Sequence, residues 1–120
     1  MKYVIFTEEE IEKEVQEKGL TAPRITPDHI DSLIVSQSFT ILPSGKTGIT
    51  ELILKNGFSV TGETSTVSKE NFDVELGKKI SFDKARDKIW ELEGYLLQEK
   101  IYWQQCAIQT LSTNNNSLEE

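Results

Sequence analysis

An Asn-Gly pair set between two β-branched runs constrains the fold of this chain more than any other feature. "ITELILK" (49–55) and "FSVTGETSTV" (58–67) flank Asn56-Gly57, and Asn-Gly accepts the positive φ angles of a type I′ turn, whose twist matches that of the strands it joins. The segment reads as a β-hairpin. Phe58 and Val60 alternate with Ser59 and Thr61, which turns one face to a core and the other to water. Gly62 continues the apolar face without a side chain, leaving a gap where a helix or a ligand can approach closely. "SFTIL" (38–42), followed by the turn-rich "PSGKTG", supplies another strand.

Helical punctuation surrounds these strands. In "TEEEIEKEVQEKG" (7–19) Thr7 and Glu10 form a capping box, three acids occupy the first turn and Gly19 ends the helix. Its apolar content is thin, mainly Ile11 and Val15, which places it at the periphery or against a partner. "LTAPR" is a bend, and "TPDHIDSLI" restarts a short helix with Thr26 as cap, Pro27 at the first helical position and Ile30, Leu33 and Ile34 as its buried stripe.

From Ser68 the hydrophobic period becomes helical, with Phe72, Leu76 and Ile80 on one face. Ser68 is the expected cap, and a break is expected around "SFD", where Ser81 can cap a second helix running from about Phe82 past Trp103. That helix carries two apolar stripes: Ala85, Ile89, Leu92, Leu96 and Trp103 on one side, and Trp90, Gly94, Leu97, Ile101 and Ile108 on another. A helix with two stripes must be covered on two sides. The hairpin sheet covers one; a second protomer is the simplest cover for the other, with Trp90, Gly94, Leu97 and Ile101 as the seam of a homo-oligomer, a dimer at least. Residues 113–120 are polar and aperiodic and read as a disordered tail outside a single α+β domain of residues 1–112. The expected architecture is a short antiparallel sheet packed against a long C-terminal helix and smaller helices.

Charge and composition narrow the function classes. Thirteen Lys and Arg stand against 20 Asp and Glu, a net charge of −7, so the molecule repels polyanions and direct nucleic-acid binding is not expected. Cys106 is the one cysteine and His29 the one histidine, which rules out an intrachain disulfide and a cysteine zinc cluster. Nothing local resembles a nucleophile motif, a metal-ligand spacing or a Gly-rich phosphate cradle, so no catalytic residue, metal or cofactor is expected and the chain reads as a non-enzyme. "MKYVIF" is too short for a signal peptide or membrane span, which suggests a cytosolic protein.

Binding candidates are few. Arg24 and Arg86 are the only arginines, and the planar guanidinium fork suits phosphate. Phe82 can stack on an adenine and Asp83 can accept from a ribose hydroxyl or base amine. With Arg86 they lie within about one helical turn, beside the backbone N–H groups of a helix starting near Ser81. The same residues also read as a core Phe82 and an exposed Asp83–Arg86 ion pair. Asn56 can meet a polar ligand edge, although the turn alone accounts for it. Glu63 with Ser59, Thr61, Thr64 and Thr66 forms a wet hairpin face. His29 reads as a surface imidazole, and Trp90 and Trp103 as packing anchors.

Three stretches, "LTAPRITPDHIDSLIV", "LILKNGFSVTGETSTVSKENFDVELGKKI" and "ARDKIWELEGYLLQEKI", occur in the order and spacing of the phage gene-forty-nine/gene-sixty-six family, which the chain resembles over most of residues 19–102. That family usually has a cysteine where Thr64 or Thr66 stands, and often a proline after the Trp of "KIW", where this chain has Glu91. The first departure argues against a thiol role; the second lets the helix run on. The resemblance implies a phage or prophage origin and life inside an infected bacterium. By analogy of size, build and context it points to Thoeris anti-defence proteins, which sequester cyclic ADP-ribose isomers and related nucleotides. On that analogy the chain is a non-catalytic oligomer holding a small nucleotide immune signal. The competing expectation is an acidic interaction protein that engages a basic host or phage protein through the acids of residues 8–17.

Overall fold

Thr7 caps the first helix, α1 (Glu8–Glu17), with its hydroxyl accepting from the Glu10 N–H while the Glu10 carboxylate accepts from the Thr7 N–H. The structure is a computed structural model that describes residues 7–20 and 22–118, with side chains through residue 111; the "MKYVIF" segment lies outside the described residues. No residue of α1 is buried, in keeping with its thin apolar stripe. In α2 (Pro27–Leu33) the Thr26 hydroxyl accepts from the His29 N–H and Pro27 takes a position whose N–H would be unpaired anyway.

Ile34 ends α2 and begins β1 (Ile34–Ile41), so the strand starts four residues before the expected "SFTIL". The reason is pairing: β2 (Thr47–Leu54) offers eight residues, and β1 matches them antiparallel from Ile34 opposite Leu54 to Ile41 opposite Gly48, with a bulge at Val35. β3 (Ser59–Ser65) pairs with the other side of β2, giving a three-stranded sheet in the order β1-β2-β3.

The β2–β3 hairpin closes differently from the type I′ expectation. Among the described residues none other than glycine has positive φ, which excludes type I′ at Asn56, while Gly57 has φ +89°. The Gly57 N–H donates to the Leu54 carbonyl and the Leu54 N–H to the Phe58 carbonyl. That is a three-residue loop, a type I turn followed by a left-handed glycine. Asn56 stabilises it by accepting the Phe58 N–H on Oδ1 at 3.0 Å. The longer loop places Phe58 before the strand, and it remains exposed instead of entering the core.

Lys69–Asn71 form one 3-10 turn, and a single helix, α3, then runs from Val74 to Leu118. Two expected helix starts fail here. Ser68 makes no side-chain cap; Asp73 caps α3 by accepting the Leu76 N–H at 2.9 Å. Ser81 opens no new helix, because its hydroxyl donates back to the Gly77 carbonyl at 2.7 Å, the bond by which a mid-helix serine satisfies itself. The helical backbone also continues through Leu118, across most of the polar segment expected as a tail.

The core lies between α3 and the inner face of β2 and β3: Ile30, Leu52, Leu54, Val60, Ala85 and Ile89 are buried, with Ile34, Phe82 and Trp90 packed against them. Burying each large aliphatic side chain is worth roughly 2 kcal/mol. The gap at Gly62 is filled by the helix, because a Cβ there would lie 2.2 Å from the Ser81 carbonyl oxygen and 2.4 Å from the Ala85 nitrogen. Strand parity corrects the wet face: Ser59, Thr61 and Glu63 point outward, whereas Thr64 is half-buried inside, its methyl against Gly77. Beyond Leu92 the helix passes the hairpin tip and becomes an arm, which explains an overall extent of 77 × 34 × 26 Å.

Candidate ligand groove

β1 is the edge of the sheet that α3 does not cover. The inner face of β1 and the flank of α3 therefore enclose an open groove of about 640 Å³, lined by Gln37, Ser38, Phe39, Thr50, Lys78, Lys79, Phe82 and Asp83. Pockets of this size hold small organic ligands. Register explains the strand side: Phe39 lies opposite Thr50 and Gln37 opposite Leu52, both on the face that meets the helix. Helical spacing explains the other side, since positions 78, 79, 82 and 83 share a face when α3 is continuous. The floor is fixed by a buried hydroxyl pair, Thr50 Oγ1 and Ser81 Oγ at 2.5 Å.

The groove has two ammonium groups against one carboxylate. This makes a locally positive site in a chain of net charge −7. Lys78 reaches only loosely to Glu75, at 3.9 Å, with its side chain half exposed. Lys79 has no ion pair among the described residues. Both are available to an incoming anion.

Of the residues singled out from the sequence, Phe82 and Asp83 meet in this groove and the others do not. Arg86 is buried on another side of α3, where its guanidinium donates to the Glu8 carboxylate, to Asp31 Oδ1 at 2.9 Å and to the Pro27 carbonyl at 3.4 Å. Burial pushes its pKa down, but the bonds to Glu8 and Asp31 outweigh burial and hold it above its ordinary value. The fork expected to take phosphate ties α1 and α2 to α3 instead, and the expected Asp83–Arg86 ion pair is not formed. Arg24 is likewise occupied, donating to both Glu12 oxygens at 2.7 and 2.5 Å. This pair of hydrogen bonds lowers the Glu12 pKa. Asn56 sits at the hairpin tip, engaged with its own turn. The free N–H groups expected near Ser81 are absent, because that position is inside α3.

Just before the arm, Trp90 donates its indole N–H to Glu8 at 3.2 Å and packs against the core. Leu97 and Ile101 are half-buried, and Gly94 is exposed with open space where a Cβ would stand. Leu96, Trp103, Ile108 and Leu111 are each more than half exposed, against 0 % for Ala85 and Ile89 nearer the sheet. His29 Nε2 lies 3.5 Å from Glu93 at the surface, away from the groove.

Lys78, Lys79, Gln37, Ser38, Phe39 and Thr50 did not emerge from the sequence as site residues. "GKKISFD" contains the signal for the helical half: read as uninterrupted helix, it puts two lysines one turn before Phe82 and Asp83. The strand half depends on the register of β1 against β2, which no local pattern encodes.

Among the described residues no group of His, Cys, Asp and Glu is placed to hold a metal ion, and no helix is long and apolar enough to cross a membrane. No curated protein and no solved structure matches the chain. The model of the phage protein (N4 Gp49/phage Sf6 gene 66) family matches residues 25–101, a span that contains α2, the whole sheet and every residue of the groove. With well over half its length matched, the chain belongs to that family.

Proposed function

We propose that this phage-family protein is a non-catalytic binder that sequesters a small phosphorylated aromatic ligand, a linear or cyclic nucleotide used as an immune signal, in the cytoplasm of an infected bacterium. One observation carries the reading: a ligand-sized groove sets an aromatic ring, Phe82, beside two lysines and one carboxylate in an otherwise acidic molecule. Stacking of a base on an aromatic side chain is worth about 1–3 kcal/mol. Lys78 and Lys79 then neutralise phosphate, and Asp83 accepts from a ribose hydroxyl or base amine. Binding without turnover is the simplest role for such a set, since no nucleophile and base stand together in it.

The reading includes self-association along α3 from Trp90 into the arm, where Trp90, Gly94, Leu97, Ile101, Ile108 and Leu111 follow one another at steps of three, four or seven residues, the seam spacing of paired helices. The competing role, an acidic surface for a basic protein, is weakened because Glu8 and Glu12 are already bonded to Arg86 and Arg24.

Thermal stability against a panel of linear and cyclic nucleotides tests the proposal, since a ligand selective for the folded state raises stability by about 2.7 kcal/mol at a hundredfold excess over Kd. The expected result is a saturable shift abolished in Phe82→Ala and in the Lys78→Ala/Lys79→Ala double variant, with the ligand recovered intact after heat release. A panel without any shift, or a ligand recovered altered, overturns it.

A further inference from the structure

We infer that the outer edge of β1 is a self-pairing surface: two copies of the chain join their β1 strands antiparallel about a two-fold axis near Ser38, making one six-stranded sheet.

The argument begins with what an edge strand must avoid. An exposed row of backbone N–H and C=O groups recruits another strand, and proteins that stay single blunt it with charges, proline or a cover. The two edges of this sheet differ in that respect. β3 carries Glu63, and Lys84 reaches over to donate to the Glu63 carbonyl at 3.0 Å. β1 reads Ile-Val-Ser-Gln-Ser-Phe-Thr-Ile, eight residues without a charge or a proline. Among the described residues no backbone or side-chain hydrogen bond reaches its outer edge.

The strand is also complementary to itself. An axis through Ser38 sets Ser36 opposite Thr40 of the second copy and Gln37 opposite Phe39, so hydroxyls meet hydroxyls on the outer face and no like charges oppose each other. Inner positions stay with inner positions, because a symmetric antiparallel pairing about one residue preserves the alternation of faces. Ile41 and Val35, 43 % and 63 % exposed in the single chain, come together across the axis. Such a pairing has a consequence for the groove, which is open toward this edge: the second copy's Phe39 and Gln37 would extend its strand wall. Only that last step rests on the proposed ligand, and the pairing itself is tested without any nucleotide.

Single cysteines in the full chain, with Cys106→Ser as background, provide the test. Ser38 and Thr61 are both exposed outer-face residues, on β1 and β3 respectively. Directly opposed strand residues lie within disulfide reach, so under mild oxidation Ser38→Cys should accumulate as a covalent dimer while Thr61→Cys stays monomeric on a denaturing gel. Equal cross-linking of the two overturns the pairing, as does none in either. A second measurement uses charge: Ser38→Lys and Ser38→Glu should each lower the assembly mass seen by sedimentation, and an equimolar mixture should restore it. Unchanged mass in both variants overturns the inference independently of whether a ligand is ever found.

Discussion

Gly62 of β3 lies directly beneath Ser81 of α3, so close that a Cβ at position 62 would fall 2.2 Å from the Ser81 carbonyl oxygen. The contact is backbone to backbone, and no side-chain rotation can relieve it. Gly62→Ala should therefore push α3 off the sheet and destabilise the fold by about 1–3 kcal/mol or more, as overpacking does. Chemical denaturation read by tryptophan fluorescence checks this. The groove depends on the same contact, because α3 sets the distance between Phe82 and β1. Gly62→Ala should thus weaken ligand binding as well as stability, whereas Gly57→Ala, strained at φ +89° but remote from the groove, should lower stability alone.

Arg86 separates structural from binding chemistry. Its three partners lie on α1, on α2 and in the α2 first turn, so Arg86→Ala loosens both small helices from α3. Hydrogen bonds to charged groups are worth about 1.5–3 kcal/mol when lost. The cost should sit near the lower end, since the carboxylates left behind at Glu8 and Asp31 are 43 % and 60 % exposed and regain water. The expected outcome is a lower melting temperature with an undiminished nucleotide-induced shift, the reverse of the effect in Phe82→Ala. Arg86→Lys should recover little, because an ammonium cannot reach three acceptors as the planar fork does.

The contrast shows how far the sequence was legible. Asn-Gly, the Thr7 capping box, Pro27 and the gap at Gly62 each act through their immediate neighbours, and the hairpin, α1, α2 and the helix-on-sheet contact were readable from them. Ser81 misled because a serine offers the same hydroxyl to a cap or to the preceding turn, and the choice was made by Thr50, thirty-one residues away. Arg86 misled for a like reason: its carboxylate partners are 55 and 78 residues distant. The groove needed two such non-local facts, the continuity of α3 and the register of β1, so only Phe82 and Asp83 of its lining were found.

Glu12 supplies a pH handle. The bonds from Arg24 hold its carboxyl below the ordinary value of 4.5. A carboxylate with a depressed folded pKa adds stability that is complete above its unfolded value and is lost as pH falls through the folded one. The tie between α1 and the segment at Arg24 should therefore hold from neutrality down to about 4.5 and release below that. Carbon-detected NMR titration of the Glu12 carboxyl should give a midpoint under 4.5. Arg24→Gln should return the midpoint toward that value and abolish the accompanying step in α1 amide exchange.

Gly94 tests the arm. Nothing lies within 4 Å of the place where its Cβ would stand, and glycine in a helix interior costs about 1 kcal/mol relative to alanine. In an isolated chain, Gly94→Ala should stiffen α3 and raise stability by about that amount. On a seam where two helices approach at position 94, the added methyls hold the axes apart and association should weaken. The two effects separate with protein concentration: Gly94→Ala is expected to melt higher than the parent when dilute and to sediment at a lower mass when concentrated. Ile101→Glu, two seam positions further along and half-buried, should remove arm association without the gain in helix stability. Parental assembly in both variants would show that the arm joins nothing.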